Sequence, residues 1–344
     1  MLVCKFGGSS LADARCFRRV RDIIMADPRR RCIVVSAPGR RFPGDYKVTD
    51  LLICAAEDGS ETGRRALMRV KEIFSAIAGE LGLRSFEKEL ASLDEAAAMG
   101  RDMAASRGEW LCALMLAEYL KRPFVDAAEA FKFKGSSPDT ELTYENIRRL
   151  ARYGAVIPGF YGTDENGRVV TFPRGGSDIC GAMAAAALEA EAYENWTDVD
   201  GLHAADPALV PGSRAIEQMS YAQARLITMM GAEVLHSGCI APAEQAGVPI
   251  IIRNTFNPGF LGTRISKCGD CTFPCLAARR CEGGEVHITV CRACAGDYGR
   301  IYAMLPDDAT CSYSHGLISV ICPECRMGDT VRMIYGCLER ARVV

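Results

Sequence analysis

The sequence predicts an α/β fold, a three-layer sandwich with a mostly parallel central sheet, followed by a small α+β domain at its C-terminal end. First, apolar strand-like segments alternate with helical segments through residues 1–267, which is typical of a parallel sheet covered by helices on both faces. Second, the composition shifts sharply, because ten of the 17 cysteines lie between Cys268 and Cys337. We therefore expect two domains, residues 1–267 and residues 268–344.

The strands of the first domain are predicted from short apolar or β-branched runs bounded by glycine, proline or polar residues. The run at 32–37 ends at Pro38 and Gly39, and the run at 249–253 has three isoleucines at its centre. The predicted strands are residues 1–4, 32–37, 155–159, 169–172, 193–197 and 249–253.

Helices are predicted where apolar residues recur at helical spacing or where alanine dominates. The segments at 64–83 and 86–99 are long and charged, the segment at 109–120 has one apolar face, and the segment at 178–190 is rich in alanine. Further helices are expected from about residue 11 and at 51–56. In the tail we expect strands at 285–291, 310–314 and 317–322 and helices at 298–304 and 328–340.

The composition excludes several classes of partner. The chain has 344 residues, is 49% hydrophobic and 24% charged, and has a net charge of −2, so it offers no broad basic field for nucleic acid or anionic lipid. No apolar run approaches the roughly 20 residues needed to span a bilayer. The first residues already form a predicted strand and lack the features of a secretory signal. We therefore expect a cytoplasmic protein with no membrane or nucleic-acid partner, whose cysteines are thiols or metal ligands rather than disulfides.

A glycine turn after the first strand gives the chain a candidate chemistry. The segment Lys5-Phe6-Gly7-Gly8-Ser9-Ser10 joins that strand to a helix, and such turns expose backbone N–H groups that bind phosphate oxygens. It matches neither the Walker A pattern nor the dinucleotide fingerprint. Taken alone, the segment also fits an ordinary tight turn with a surface lysine.

Three further turns of small or acidic residues follow predicted strands. They are Gly159–Gly162, Arg174–Asp178 and Thr197–Gly201. Ligands of open α/β sheets bind at the carboxyl ends of the strands, so four such turns favour a nucleotide-handling site. Phosphoryl transfer depends chiefly on positioning and on positive charge at the phosphoryl oxygens.

The charged residues beside these turns fit such a site. Lys5 would supply charge to the transferring group, Asp178 would orient Lys5 or help to hold Mg–ATP, and Arg174 would grip a carboxylate. Glu109 would bind an ammonium group. The alternatives are that Asp178 serves as a helix N-cap and that Glu109 is a solvated first-turn carboxylate.

Taken together, these residues resemble the aspartokinases of the amino-acid kinase superfamily through the first 267 residues. The motifs that carry the resemblance are, in chain order, Lys5–Ser10, Val35–Gly39, Lys47–Leu52, Arg107–Glu109, Gly159–Gly162, Arg174–Asp178, Trp196–Gly201, Gly231–His236 and Arg253–Thr255. The resemblance implies ATP- and Mg²⁺-dependent phosphorylation of the side-chain carboxylate of L-aspartate to 4-phospho-L-aspartate. This is the first step towards lysine, threonine and methionine. It also implies a homodimer or a higher homo-oligomer.

The resemblance also assigns roles to individual residues. Lys5 and Asp178 are expected to be catalytic, with Lys5 stabilising the transferred phosphoryl group and Asp178 organising Lys5. The residues expected to contact aspartate are Ser36, Thr49, Glu109 and Arg174. The residues expected to contact the nucleotide are Gly7, Gly8, Ser9, Thr197, Asp198 and His203. The chain departs from the family pattern at His203, Ala208 and Glu233, and Arg214 is close enough in sequence to replace a lost charge.

The cysteine-rich tail resembles a shortened ACT module, a regulatory domain that aspartokinases usually carry twice. It contains three Cys-x-x-Cys pairs, Cys268/Cys271, Cys291/Cys294 and Cys322/Cys325. The first two pairs have zinc-ribbon spacing. Alternatively, Cys291 and Cys322 end two strands that would be parallel neighbours in an ACT-like sheet, so that their pairs would meet around a tetrahedral Zn²⁺. The third interpretation is that these cysteines are small buried hydrophobes, and no metal ligand is assigned.

Two other functions remain compatible with the sequence. One is a kinase for another amino-acid carboxylate. The other is a weakly active regulatory or metal-binding protein on a kinase scaffold, which Lys5, Arg174 and Asp178 argue against.

Overall fold

A computed structural model describes residues 1–173, 175–231 and 234–341. The chain forms two compact units. Unit 1 contains Met1–Val199 and Gly238–Phe260, and unit 2 contains Asp200–Ser237 and the chain from Leu261 onward. The units do not coincide with the two predicted domains, because residues 200–237 cluster with the tail.

The described parts of the two units contain fifteen strands and twelve α-helices. In chain order, the strands are β1 Leu2–Phe6, β2 Arg30–Val35, β3 Phe133–Lys134, β4 Ser137–Pro138, β5 Val156–Pro158, β6 Tyr161–Thr163, β7 Val169–Thr171, β8 Ala192–Thr197, β9 Gln218–Met219, β10 Ile250–Asn254, β11 Thr263–Ile265, β12 Cys275–Arg280, β13 Glu285–Cys291, β14 Thr310–Ser314 and β15 Leu317–Pro323. The α-helices are α1 Ala14–Met25, α2 Val48–Glu57, α3 Glu61–Leu81, α4 Glu87–Ala98, α5 Arg101–Leu120, α6 Ala127–Ala130, α7 Thr140–Ala151, α8 Gly176–Ala187, α9 Tyr221–Met229, α10 Ile240–Gln245, α11 Ala295–Tyr302 and α12 Met327–Arg340.

A parallel sheet forms the centre of unit 1, with the strand order β5-β2-β1-β8-β10. Every pair of neighbours in this order is parallel, so the carboxyl ends of the strands lie at one edge. In the register, Lys5 lies opposite Val34 on β2 and Asn195 on β8. The predicted α/β fold is confirmed. The strand predicted at 169–172 forms as β7, but it pairs with β6 in an antiparallel hairpin.

Helices cover both faces of this sheet. On one face, Leu2, Cys4 and Phe6 pack in a buried core with residues of α1, α3 and α5. On the other face, α8 packs against β1 and β8 and is flanked by α7 and α10. Alternate residues of a strand point to opposite faces, and Lys5 therefore points towards α8.

Local sequence signals set the helix ends. Asp13 caps α1 by accepting from the Cys16 amide at 2.8 Å, and Ser60 caps α3 by accepting from the Thr62 amide at 3.1 Å, as short polar side chains commonly do at N-caps. The helix predicted at 109–120 begins eight residues earlier, at Arg101. Glu109 therefore lies in the middle of α5 and not in its first turn.

Unit 2 contains a four-stranded antiparallel sheet with the order β12-β13-β15-β14. Val286, Ile288 and Val290 of β13 share a core with Val331 and Ile334 of α12. A short parallel pair, β9 with β11, belongs to the same unit. The predicted tail strands and helices are present, whereas β12 was not predicted from the sequence.

The strand directions overturn the zinc hypothesis that joined Cys291 and Cys322. Strands β13 and β15 are antiparallel, with Cys291 opposite Leu317 and Cys322 opposite Val286. The two cysteines therefore lie at opposite ends of the strand pair. No group of three or more His, Cys, Asp or Glu residues in the described part of the chain is arranged to hold a metal ion. Within the three Cys-x-x-Cys pairs, Cys271, Cys291 and Cys322 are buried and Cys268, Cys294 and Cys325 are exposed. The interpretation as small buried hydrophobes therefore fits one cysteine of each pair and not the other.

Across 1–173, 175–231 and 234–341, no helix combines the length and the apolar character needed to cross a bilayer.

Candidate active site

The glycine turn after β1 brings two backbone segments into close contact. The Gly8 carbonyl accepts a hydrogen bond from the Gly39 amide at 2.8 Å. A Cβ atom at Gly8 would lie 2.9 Å from the Ala37 carbonyl oxygen, so this approach requires glycine. The Gly7 amide donates to the Trp196 carbonyl oxygen at 3.0 Å. Gly8 and Ser9 begin a 3₁₀-helix, Gly8–Leu11, and first-turn amides have no acceptor within their own helix.

Lys5 and Asp178 form an ion pair at the carboxyl end of β1. The Lys5 Nζ lies 2.7 Å from the Asp178 Oδ1, and the two side chains are 11% and 13% exposed. Asp178 lies in the first turn of α8, whose N-cap is Gly175 and has no side-chain capping bond. Asp178 is therefore not the N-cap, and its carboxylate faces Lys5. Separating a largely buried ion pair is unfavourable, because it leaves an uncompensated charge. Each side chain therefore holds the other in position.

Asn195 completes the surroundings of this pair and was not predicted from the sequence. Its Nδ2 donates to the Asp178 Oδ1 at 3.2 Å. The residue is 1% exposed. The sequence shows two adjacent polar residues, Glu194 and Asn195, in the middle of this strand. The role of Asn195 depends on the neighbouring strand residues that the register brings beside it.

Glu109 is deeply buried beside the same site. It is 4% exposed, so its interpretation as a solvated first-turn carboxylate is wrong. Burial raises its pKa to about 8, against the opposing effects of the Ala37 backbone amide and the Lys5 charge. Its Oε2 has no hydrogen-bond partner among the described residues. A buried carboxyl with an unused oxygen is suited to receive a cationic group of a ligand.

A close helix contact determines where Glu109 lies. A Cβ atom at Gly108 would lie 2.8 Å from the Ala37 Cβ and 3.2 Å from a Val48 methyl group. Only glycine therefore lets α5 approach both the loop after β2 and the start of α2. Thr49 is the second residue of α2 and is half-buried.

The remaining predicted residues of unit 1 lie where parallel strands end. Ser36 directly follows β2, and its amide donates to the Phe6 carbonyl oxygen at 3.1 Å. Thr197 ends β8, and its hydroxyl donates to the Asp198 Oδ1 at 3.1 Å. The Thr197 carbonyl accepts from the Thr255 amide at 2.8 Å. These residues share the sheet edge that carries Lys5 and the glycine turn.

Other predicted residues fall outside this group. His203 belongs to unit 2, where its Nδ1 lies 2.8 Å from the Ser213 carbonyl oxygen. Arg214 also belongs to unit 2 and stacks its guanidinium on Phe273 at 4.2 Å from the ring centroid. Arg174 and Glu233 lie outside the described residues.

A buried charge network on the opposite face of β8 supports the Trp196–Asp198 segment. Glu194 is 3% exposed and accepts from the Arg30 Nε at 2.8 Å and from the Trp196 Nε1 at 3.0 Å. Its carboxylate also lies 3.5 Å from Arg253. The sequence did not reveal this network, because the partners are far apart along the chain.

We expect Glu194→Ala to destabilise unit 1 by about 3–5 kcal/mol, because Arg30 and Arg253 would keep buried charges without their carboxylate. Urea unfolding measures this loss. Glu191 is the matched control, since it pairs with Arg29 and the N-terminal amine at the surface and is 52% exposed. Glu191→Ala should hardly change the unfolding midpoint. An equal loss in both variants would contradict a specific role for the network.

Comparison with known proteins identifies a family and several relatives of this chain. The model of the amino acid kinase family matches residues 1–254. The chain is 37% identical over 294 residues to "Aspartokinase 3" of Bacillus subtilis, covering 79% of this chain and 65% of that protein. It is 31% identical over 294 residues to "Lysine-sensitive aspartokinase 3" of Escherichia coli, covering 77% and 64%. The chain thus spans slightly less than two thirds of the length of these relatives.

Solved structures of aspartate kinases also resemble this chain. The aspartate kinase of Clostridium acetobutylicum superposes with a TM-score of 0.86 at 28% identity, covering 98% of this chain and all of that one. Escherichia coli aspartokinase III in complex with aspartate and ADP superposes with a TM-score of 0.73 at 26% identity, covering 94% and 78%. The predicted resemblance to aspartokinases is confirmed. With 254 of its 344 residues matched by the family model, the chain belongs to the amino acid kinase family.

Proposed function

We propose that this chain transfers the γ-phosphoryl group of ATP to the side-chain carboxylate of L-aspartate, giving 4-phospho-L-aspartate and ADP. The observation that carries the proposal is the Lys5–Asp178 pair, at 2.7 Å, beside the glycine turn after β1. The aspartokinase relatives support the same reaction, and one of the similar structures was solved with aspartate and ADP.

The proposed chemistry needs no general base. A side-chain carboxylate oxygen of aspartate attacks the γ-phosphorus, and the bond to the β–γ bridging oxygen breaks, leaving ADP. The carboxylate is already ionised, so no proton has to be removed. Catalysis then depends on alignment and on positive charge at the phosphoryl oxygens. Lys5 supplies this charge, and Asp178 holds the ammonium group in place.

The other residues are assigned to binding. Glu109 receives the substrate ammonium group, with Ser36 and Thr49 beside it and Arg174 on the α-carboxylate. Gly7, Gly8 and Ser9 line the phosphates, and Thr197, Asp198 and His203 contact the nucleotide. For Gly7 the contact is its Cα surface, because its amide is already bonded to Trp196. Assembly into a homodimer or larger homo-oligomer and a cytoplasmic location remain predictions.

Mg²⁺ is proposed to arrive with ATP. Proteins usually hold this ion through one or two carboxylates together with substrate phosphates and water. Asp198 is a carboxylate that directly follows β8 at this sheet edge and fits that arrangement. The Asp178 Oδ1 is less suited to the ion, because it already accepts hydrogen bonds from the Lys5 Nζ and the Asn195 Nδ2. When bound, the ion would neutralise charge on the phosphate oxygens.

Trapping the acyl phosphate tests this proposal. The purified chain would be incubated with Mg–ATP, hydroxylamine and one of four acids: L-aspartate, D-aspartate, L-glutamate or succinate. We expect hydroxamate with L-aspartate and little with succinate, which lacks the ammonium group assigned to Glu109. If hydroxamate forms with another acid and not with L-aspartate, that acid is the substrate. If no hydroxamate forms with any of the four acids, a regulatory role on a kinase scaffold is favoured.

A further inference from the structure

The buried side-chain amide of Asn195 lies next to the Lys5–Asp178 pair, and the proposed function assigns it no role. Asn195 is opposite Lys5 in the parallel register of β1 and β8, so both side chains project from the same face of the sheet towards α8. The Lys5 Nζ at 2.7 Å and the Asn195 Nδ2 at 3.2 Å both approach the same atom, the Asp178 Oδ1. One carboxylate oxygen therefore accepts from two adjacent strands.

Strand β8 makes a second contact with the same helical turn. The Tyr193 hydroxyl donates to the Asp178 backbone carbonyl oxygen at 3.2 Å. Tyr193 and Asn195 are two residues apart and share a face of the strand. One of them holds the backbone of Asp178 and the other holds its carboxylate, so β8 determines where that carboxylate sits relative to Lys5.

The other half of the Asn195 amide is unsatisfied. Its Oδ1 is buried and has no hydrogen-bond partner in the part of the chain that is described. Leaving a buried acceptor without a donor costs free energy, so stability alone gives no reason for an amide at this position. An apolar residue of similar size, such as leucine, would remove this cost but would also remove the donor to Asp178. Buried polar groups that are incompletely satisfied call for an explanation of this kind.

We propose that Asn195 is a positioning residue for phosphoryl transfer, holding the Asp178 carboxylate through Nδ2 so that this carboxylate directs the Lys5 ammonium group at the phosphoryl group. An ammonium group has three N–H donors, so during transfer Lys5 can keep its contact with Asp178 while it also contacts the phosphoryl oxygens. The orientation of the Asp178 carboxylate then determines where the ammonium group lies. The hydrogen bond from Asn195 fixes that orientation. This inference rests on the proposed function for its kinetic consequence but not for its geometry.

The kinetic test compares Asn195→Leu with the wild-type chain in the hydroxamate assay. We expect kcat to fall about tenfold while the KM values for aspartate and ATP stay within about twofold, because the proposed function assigns no substrate contact to Asn195. Asn146→Leu is the matched control. Asn146 lies on α7, is 8% exposed and contacts Arg149, so this variant should keep wild-type kcat per folded molecule. Wild-type kcat in Asn195→Leu would overturn the proposal.

A second variant separates positioning from packing. Asn195→Asp keeps the shape of the side chain but loses the donor whenever the new carboxyl is ionised. A protonated carboxyl can donate to Asp178 in its place. We therefore expect the kcat of Asn195→Asp, relative to wild type, to rise as the pH falls from about 8 to about 6. A ratio that does not change with pH would contradict the proposal.

A crystal structure of Asn195→Leu tests the geometry without any substrate. We expect the Asp178 carboxylate to turn from its wild-type orientation and to carry the paired Lys5 Nζ with it. An unmoved carboxylate would overturn the inference. If the wild-type chain phosphorylates no acid, the proposed function fails, and this structure alone then decides whether Asn195 positions Asp178.

Discussion

Replacing Lys5 by alanine should lower kcat for hydroxamate formation by about a thousandfold, the size of effect seen when a charge that stabilises a transferring phosphoryl group is removed. Lys5 is the cation that the site places beside the glycine turn, with its Nζ 2.7 Å from Asp178. The KM for aspartate should change much less, because the ammonium and α-carboxylate contacts are assigned to other residues. Steady-state kinetics with saturating Mg–ATP measures both quantities.

The interpretation of this variant depends on its folding. Loss of Lys5 removes a compensating charge from the largely buried Asp178 carboxylate, so a destabilisation of about 3 kcal/mol is expected. Rates must therefore be expressed per folded molecule, with the folded fraction taken from urea unfolding. Lys132→Ala is the matched control, because Lys132 is half-buried in the same unit and donates to the Ala128 carbonyl and the Thr163 hydroxyl. Turnover above a tenth of wild type in Lys5→Ala would exclude the assigned role.

The stability of the chain should fall as the pH rises from about 5 to 8, and Glu109 should account for the largest single part of this change. Burial raises the pKa of Glu109 from an ordinary 4.5 to about 8. Between these values the folded chain holds a proton on Glu109 that the unfolded chain has lost. Stability therefore decreases with rising pH, by about 1.4 kcal/mol per pH unit and at most about 5 kcal/mol in total.

Glu109→Gln should remove this slope, because the amide does not ionise. The difference in unfolding free energy between wild type and Glu109→Gln, measured in urea from about pH 5 to about pH 9, should shift in favour of the variant as the pH rises. Glu118→Gln is the control, since Glu118 lies on the same helix and pairs with Arg84 near the surface. A difference that is constant with pH would show that Glu109 is ionised throughout.

The same proton should affect substrate binding. A substrate ammonium group favours the ionised form of Glu109, so aspartate binding near pH 7 should release up to one proton. Calorimetry in buffers of different ionisation enthalpy measures this release. The KM for aspartate should also rise as the pH falls below about 8, the pKa to which burial raises Glu109, and Glu109→Gln should abolish both effects. Binding without proton release would assign the ammonium contact elsewhere.

The sequence was sufficient for the central sheet, and the resemblance to aspartokinases paired Asp178 with Lys5. Alternating segments predict a parallel sheet, and residues that follow its strands must meet at one edge, so Lys5, Ser36 and Thr197 could be placed there from the sequence alone. Glu109 was harder to interpret, because the apolar face of 109–120 suggested a helix start. The structure begins α5 at Arg101, which makes Glu109 a buried mid-helix carboxyl.

Features that depend on partners far apart in sequence were not predictable. Asn195 acquires its role from its register with Lys5, and Glu194 acquires its role from Arg30 and Arg253. Neither strand sequence shows whether β13 and β15 pair in parallel or antiparallel. The zinc hypothesis that joined Cys291 and Cys322 assumed a parallel pair and was therefore wrong. Strand β12 was missed because Cys275–Arg280 contains no β-branched residue, and its pairing with β13 supplies what its own propensity lacks.

In the proposed reaction, the side-chain carboxylate of aspartate attacks the γ-phosphorus of ATP beside Lys5. This step is tested most directly with L-aspartate carrying ¹⁸O in both oxygens of that carboxylate. When hydroxylamine cleaves the acyl phosphate at its carbonyl carbon, one labelled oxygen leaves with inorganic phosphate and the other stays in the hydroxamate. We expect phosphate with one ¹⁸O atom per molecule, detected by mass spectrometry. Unlabelled phosphate would contradict this mechanism, because it would mean that water or another acceptor had taken the phosphoryl group.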